Sequence, residues 1–309
     1  MSSSTQELVR AEEGRMGSSP IVAAIALMRP KQWVKNGFIL VPMFFSGHGD
    51  VELAASALIA AISFCLLSST IYILNDLCDL EDDKLHEKKR FRPLPSGRIS
   101  VHAAIALGVV LLSTSIVLPI FAGLPIGFFF LVALFGMMNL AYSLGMKHIP
   151  ILELFIVSSG YVLRLVAGST IVGEPLSSWI IVCTGLVSMM LAVGKRRGDV
   201  ANALDQTGRR RSLQHYTVPY LDQLTTLLAG ATFVTYLLFC ISDYAMQRFG
   251  ADVTITAVFV LFGIFRFLQI LTVESGGDSP TDIVVDDGPL RISIFMWLLT
   301  FFVIIYLTP

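Results

Sequence analysis

Residues 51–83 read VELAASALIAAISFCLLSSTIYILNDLCDLEDD, an apolar run from Val51 to Leu74 that passes straight into the acidic cluster Asn75–Asp83. The run is long enough to cross a bilayer as a helix, which takes about 20 residues. Carboxylates at the mouth of a membrane helix are costly to keep and point to function. With the helix continued through the cluster, Asp76, Asp79 and Asp83 stand at i, i+3 and i+7 and share one face. Glu81 and Asp82 point off that face. Hard oxygen donors at this spacing suit Mg²⁺, which is commonly held by one or two carboxylates together with substrate phosphates. A solvated acidic loop is the plainer alternative, but it has no need of helical spacing or of Asn75 beside the membrane. The cluster reads as a metal and diphosphate site.

Outward from this stretch the same pattern recurs. The chain has 309 residues, of which 54% are hydrophobic and 15% charged, with a mean hydropathy of +0.73. That composition excludes an ordinary soluble domain. Nine spans of membrane-crossing length are expected, at about 33–47, 53–75, 101–121, 125–144, 151–172, 178–195, 222–242, 252–273 and 291–308. The expected fold class is therefore an all-α integral membrane protein. Residues 1–19 are polar and Ser-rich with no apolar core, so they are expected as a disordered tail, and 20–309 as a single transmembrane catalytic domain. The four cysteines show no CxxC spacing, and neither a disulfide framework nor a zinc site is implied.

Charge gives the orientation. The loops after the second, fourth and sixth expected spans carry Lys84, Lys88, Lys89, Arg90, Arg92, Lys147, Lys195, Arg196 and Arg197, while the opposite loops carry Arg248 and little else. The positive-inside rule then puts the N-terminus, the acidic cluster and the basic loops in the cytoplasm, and the expected location is the cell (plasma) membrane. The formal net charge of −1 conceals that asymmetry.

Three basic patches follow the cluster. KKRFRPLPSGR at Lys88–Arg98 offers Arg92, whose planar fork suits phosphate oxygens. Tyr142 and Lys147 leave the fourth span, where an aromatic belt residue and a snorkelling lysine are the ordinary alternatives. Lys195-Arg196-Arg197-Gly198-Asp199 ends the sixth span, with Lys195, Arg196 and Asp199 able to share a helix face. The segment offers one well-placed carboxylate, Asp199, amid positive charge. Two four-helix halves with related loops would fit this spacing. Within the spans, Glu153 and Arg164 are nearly co-facial but about 16 Å apart along the axis, too far to pair. Arg164 and Arg266 each need another partner.

These residues carry a resemblance. Asn75-Asp76-x-x-Asp79-x-x-x-Asp83 matches the NDxxDxxxD signature of the UbiA superfamily of intramembrane prenyltransferases. RPKQWVKN at Arg29–Asn36, RPLPSG, YSLGMKHIP at Tyr142–Pro150, ELFIVSSGYVLRLVAG and KRRGD at Lys195–Asp199 resemble its decaprenyl-phosphate phosphoribosyltransferase branch. The resemblance implies nine helices around a polar pocket open to the cytoplasm. It further implies Mg²⁺ on Asp76, Asp79 and Asp83, with Asp199 as a further ligand. Asn75, Arg92, Tyr142, Lys147, Lys195, Arg196 and Asp199 are the expected substrate-binding residues.

Ordinary family members carry a second aspartate-rich motif, whereas here Lys195, Arg196 and Arg197 precede a single aspartate. That departure fits a donor with a monophosphate as well as a diphosphate, and the resemblance names it as phosphoribosyl pyrophosphate. The acceptor would be a polyprenyl (decaprenyl) phosphate, on the way to a lipid-linked arabinose donor for the cell wall. The alternative is a UbiA-type enzyme moving a prenyl group from its diphosphate to an aromatic or quinone precursor. The bilayer and the two substrates are the expected partners. No nucleic acid is expected, and a homo-oligomer is compatible with the chain.

Overall fold

The computed structural model describes residues 19–47, 50–85, 89–202, 211–273, 283 and 286–307. The tail expected at 1–19, apart from Ser19, lies outside the described residues, as do Lys88 and residues 274–282. The described residues contain helices and no strands. In chain order the α-helices are α1 Pro20–Met28, α2 Val41–Ser46, α3 Val51–Cys78, α4 Leu80–Leu85, α5 Val101–Phe121, α6 Ile126–Leu144 and α7 Leu152–Val172. They continue with α8 Ser178–Asn202, α9 Val218–Cys240, α10 Asp243–Phe249, α11 Thr256–Thr272 and α12 Gly288–Phe302.

Eight helical segments among the described residues are long and apolar enough to cross a membrane. They correspond to α3, α5, α6, α7, α8, α9, α11 with its preceding 3-10 turn, and α12 with its π-helical end. Their apolar residues lie on every side, as expected where lipid rather than water is the neighbour. Phe121, Ile126 and Phe130 are among many exposed large side chains.

The stretch expected as a ninth span, 33–47, is instead a 3-10 helix, Pro30–Leu40, followed by the short α2. Local chemistry accounts for this. Arg29 closes α1 in the left-handed region at φ 54°. Pro30 follows it, Gly37 loosens the middle, and Pro42 opens α2.

Helix starts follow the capping rules. Ser100, Thr217, Ser242 and Asp287 accept backbone N–H groups from the first turns of α5, α9, α10 and α12, and Pro219 and Pro289 occupy first-turn positions.

The chain divides into two compact units, Met1–Gly37 with Leu58–Leu144, and Phe38–Ala57 with Gly145–Pro309. In the first, Leu27, Ile73, Leu94, Ile99 and Ala104 form a buried core. The segment after α1 is fastened to α3 by polar bonds. Trp33 donates to Ser69 Oγ at 3.0 Å, Ser69 to the Met28 carbonyl at 2.9 Å, and buried Asn36 to Cys65 Sγ at 3.2 Å.

In the second unit, Trp297 donates to the Tyr236 hydroxyl at 2.7 Å, and that hydroxyl pairs with Thr256 at 2.6 Å, so each buried polar tip is satisfied. Arg266 finds its partner in Asp287, with its shortest bond 2.7 Å. Arg164 donates to the Gly160 carbonyl at 2.8 Å and lies 5.9 Å from the Tyr161 ring. Gly168 of α7 meets the 3-10 segment so closely that a Cβ there would lie 2.1 Å from the Ile39 carbonyl oxygen.

Candidate functional site

In the first unit α3 carries its helix past the apolar run. At 1.5 Å per residue its 28 residues extend about 42 Å, more than the roughly 30 Å hydrocarbon core, so its polar end emerges. The ladder breaks at Asp79, yet the Asp79 N–H still bonds Asn75 O at 3.0 Å and the Asp83 N–H bonds Asp79 O at 2.8 Å. Helical spacing thus survives across the break. Asp76 and Asp83 are each 1% exposed, whereas Asn75 and Asp79 are half-buried.

Arg92 Nη1 lies 3.2 Å from Asp76 Oδ1 and 2.6 Å from Asp83 Oδ2, so one cationic position serves both carboxylates. Arg29 also pairs with Asp76 Oδ1 while lying 5.0 Å from the Tyr72 ring centroid, and Lys89 Nζ stands 3.4 Å from Asp83 Oδ1. Two buried carboxylates thus converge on positive charge at a helix end. No group of three or more His, Cys, Asp or Glu among the described residues forms a ready metal cage. Mg²⁺ does not require one, since it typically takes one or two carboxylates and completes its shell with water and phosphate oxygens. The all-oxygen donors and the shared cation position fit that ion. Arg29 and Lys89 were not among the expected binding residues; the signal for Arg29 was its place in RPKQWVKN.

The second unit holds the other patches. Lys147 is buried in the 3-10 turn Met146–His148 that leads into α7. Ile151, just before α7, has φ 66°, and its N–H donates to the Tyr216 hydroxyl at 2.5 Å. Burial pushes the Tyr216 phenol above its usual pKa, against the opposing pull of that N–H. Glu153, in the first turn of α7, is fully buried. Arg196 of α8 meets it with a two-point fork, Nε to Oε1 at 2.8 Å and Nη2 to Oε2 at 2.6 Å. Arg196 Nη1 donates to Asp199 Oδ2 at 2.7 Å.

Lys195 is exposed, and Asp199 keeps 30% of its side chain open. Arg197 is spent on Asp222 at 2.7 Å and on the Leu271 carbonyl, tying α8 to α9 and α11. Among the expected residues, the structure joins Asp76, Asp83 and Arg92 in one cluster and Arg196 with Asp199 in another. Tyr142 is half-buried on α6. Glu153 went unmarked as a site residue because its partner stands 43 positions away.

Among the described residues, eight apolar helices and clusters of carboxylates and guanidinium groups at helix ends define a helical, multi-pass membrane protein with a polar functional apparatus. The chain belongs to the UbiA prenyltransferase family, whose match runs over residues 37–299. Two similar relatives are each called decaprenyl-phosphate phosphoribosyltransferase. The one from Mycolicibacterium smegmatis is 33% identical over 91% of this chain and 92% of its own length. That from Corynebacterium glutamicum is 31% identical over 92% of this chain and 87% of its own. The fold matches the structure of a UbiA homologue from Archaeoglobus fulgidus bound to GPP and Mg²⁺. The TM-score is 0.69 at 16% identity, covering 92% of this chain and 99% of that one.

Proposed function

We propose that the protein transfers 5-phosphoribose from phosphoribosyl pyrophosphate to a polyprenyl phosphate of decaprenyl type and releases diphosphate. The observation that carries this reading is the match, over nine-tenths of the chain, to relatives bearing that activity in their names. The Lys195–Asp199 segment supports it, since it brings a single carboxylate and the exposed Lys195 where a second acidic motif would serve a prenyl diphosphate.

Asp76, Asp79 and Asp83 are the residues that would hold Mg²⁺, with Asp199 as a further carboxylate for the donor. When bound, the ion supplies positive charge that offsets the diphosphate as it departs from C1 of the ribose. Arg92 and Arg29, about one-third exposed and already beside those carboxylates, are placed to turn toward diphosphate oxygens. Lys147 and Lys195 serve the 5-phosphate or the acceptor phosphate, with Tyr142 and Asn75 as polar contacts. The acceptor phosphate is anionic near neutral pH, so its attack on C1 needs no strong base. The residues' work is positioning and electrostatics.

The polyprenyl tail stays in lipid, at about 0.8 kcal/mol for each buried methylene. The basic loops set the orientation, with N-terminus and site cytoplasmic, and the product is consistent with a cell-wall arabinose donor pathway.

The test is purified protein with Mg²⁺, labelled phosphoribosyl pyrophosphate and a polyprenyl phosphate, with EDTA and Asp76→Asn as controls. Label should move to lipid in the complete mixture and in neither control. Prenyl transfer from a prenyl diphosphate to an aromatic acid, with no label reaching lipid, would replace this reading with the alternative.

A further inference from the structure

We propose that Glu153 is a positioning residue for donor binding, acting through Arg196 to aim Asp199. This rests on the reading above that Asp199 contributes a carboxylate to the donor. The chain of contact is direct. Glu153 is fully buried at the start of α7, and both its oxygens are taken by Nε and Nη2 of Arg196, at 2.8 and 2.6 Å. A two-point fork fixes the guanidinium plane, which a single bond would not. The remaining terminal nitrogen, Nη1, then projects in a set direction and holds Asp199 Oδ2 at 2.7 Å.

Exposure runs the same way along the chain of contact, from 0% at Glu153 through 5% at Arg196 to 30% at Asp199, so a rigid buried end carries an accessible one. The base of the fork is itself braced. The Tyr216 hydroxyl accepts the N–H of Ile151, two residues before Glu153, where the backbone takes a left-handed φ that a non-glycine residue adopts only under constraint. Arg196, expected from sequence as a phosphate ligand, is in this arrangement a strut. It is 4% exposed, with three of its donor directions committed to protein carboxylates.

A purely structural ion pair would be dispensable once both charges were removed together, since a buried pair can often be replaced without loss of stability. The decisive variant is therefore the paired Glu153→Leu/Arg196→Met, which puts apolar groups of similar volume in place of the ion pair, in the full-length protein in nanodiscs, beside Asp199→Asn. Glu153→Gln alone leaves a buried guanidinium short of counter-charge and serves only to show coupling in thermal melts.

The expected result is a paired variant that melts close to wild type yet has a KM for phosphoribosyl pyrophosphate raised about tenfold. Its affinity for Mn²⁺ in the presence of the donor, read by electron paramagnetic resonance, should fall by a similar factor, with the KM for polyprenyl phosphate unchanged. Asp199→Asn should lose as much, and adding it to the pair should lose no more. A folded pair with wild-type donor KM and Mn²⁺ affinity would overturn the proposal, as would losses that simply multiply with those of Asp199→Asn. Wild-type donor KM in Asp199→Asn, with the fork intact, would instead remove that carboxylate from the donor site and take the proposal with it.

Discussion

The two charged clusters use the same ingredients in opposite ways. At the end of α3, the acids are buried and their cations are not: Asp76 and Asp83 are almost fully enclosed, while Arg29, Lys89 and Arg92 keep between 27% and 31% of their side chains open. At the start of α7, acid and base are buried together, and only the terminal Asp199 reaches out. At the first cluster three half-open cations serve two acids, so one can turn away into water while the others keep those acids paired. A buried cation is held by the penalty of leaving it unpaired. The first cluster is built to exchange partners and the second to stay still.

The widest gap between them should appear in activity. Asp76→Asn or Asp83→Asn is expected to cut transfer of labelled phosphoribose by more than the ~100-fold typical of losing a supporting group at a metal site, with the melting temperature nearly unchanged. Retention of a tenth of the activity in either variant would remove that carboxylate from the reaction.

The next contrast is in stability. Glu153→Ala, which takes the two-point partner from a buried guanidinium, should lower the unfolding free energy by about 3–5 kcal/mol. Arg92→Ala should cost less, because Arg29 and Lys89 stay beside the buried Asp76 and Asp83, while weakening donor binding. Parallel melts in one detergent check the pair, and equal losses would mean that the two clusters are held alike.

The smallest effect concerns pH and sharpens the comparison with a third ion pair. The Arg266 guanidinium, together with the Leu290 N–H, holds the Asp287 carboxyl below its usual range. Because the folded value is lowered, its contribution to stability is present above the ordinary carboxylate pKa of about 3.9 and is lost as pH falls through the lower folded value. Melts from pH 6 downward should show Asp287→Asn and wild type converging only below about pH 4. A constant difference across that range would mean that the ionised carboxylate contributes nothing of its own.

Most of the fold was legible because hydropathy belongs to each residue by itself. The run Val51–Leu74 announces α3 whatever it packs against, and the expected 53–75 differs from the observed Val51–Cys78 mainly at the ends. The stretch 33–47 misled because its apolar content hides Pro30, Gly37 and Pro42, which favour a 3-10 segment and a short helix. The i, i+3, i+7 face of the acidic cluster was likewise readable, being local. Arg29 on Asp76 and Arg196 on Glu153 join residues 47 and 43 positions apart, and no periodicity reports such a meeting. An arginine expected to face substrate can therefore turn out to be occupied from behind.

The contact between Gly168 and the Ile39 carbonyl bears on how this protein can change over generations. Many large apolar side chains on its helices are exposed, and at such positions one apolar side chain substitutes for another with little consequence. At position 168 even a methyl group would collide with backbone, and backbone has no rotamer into which to retreat. The molecule thus combines a permissive exterior with a notch of zero tolerance, and a saturation library read by folded yield should return glycine alone at that site.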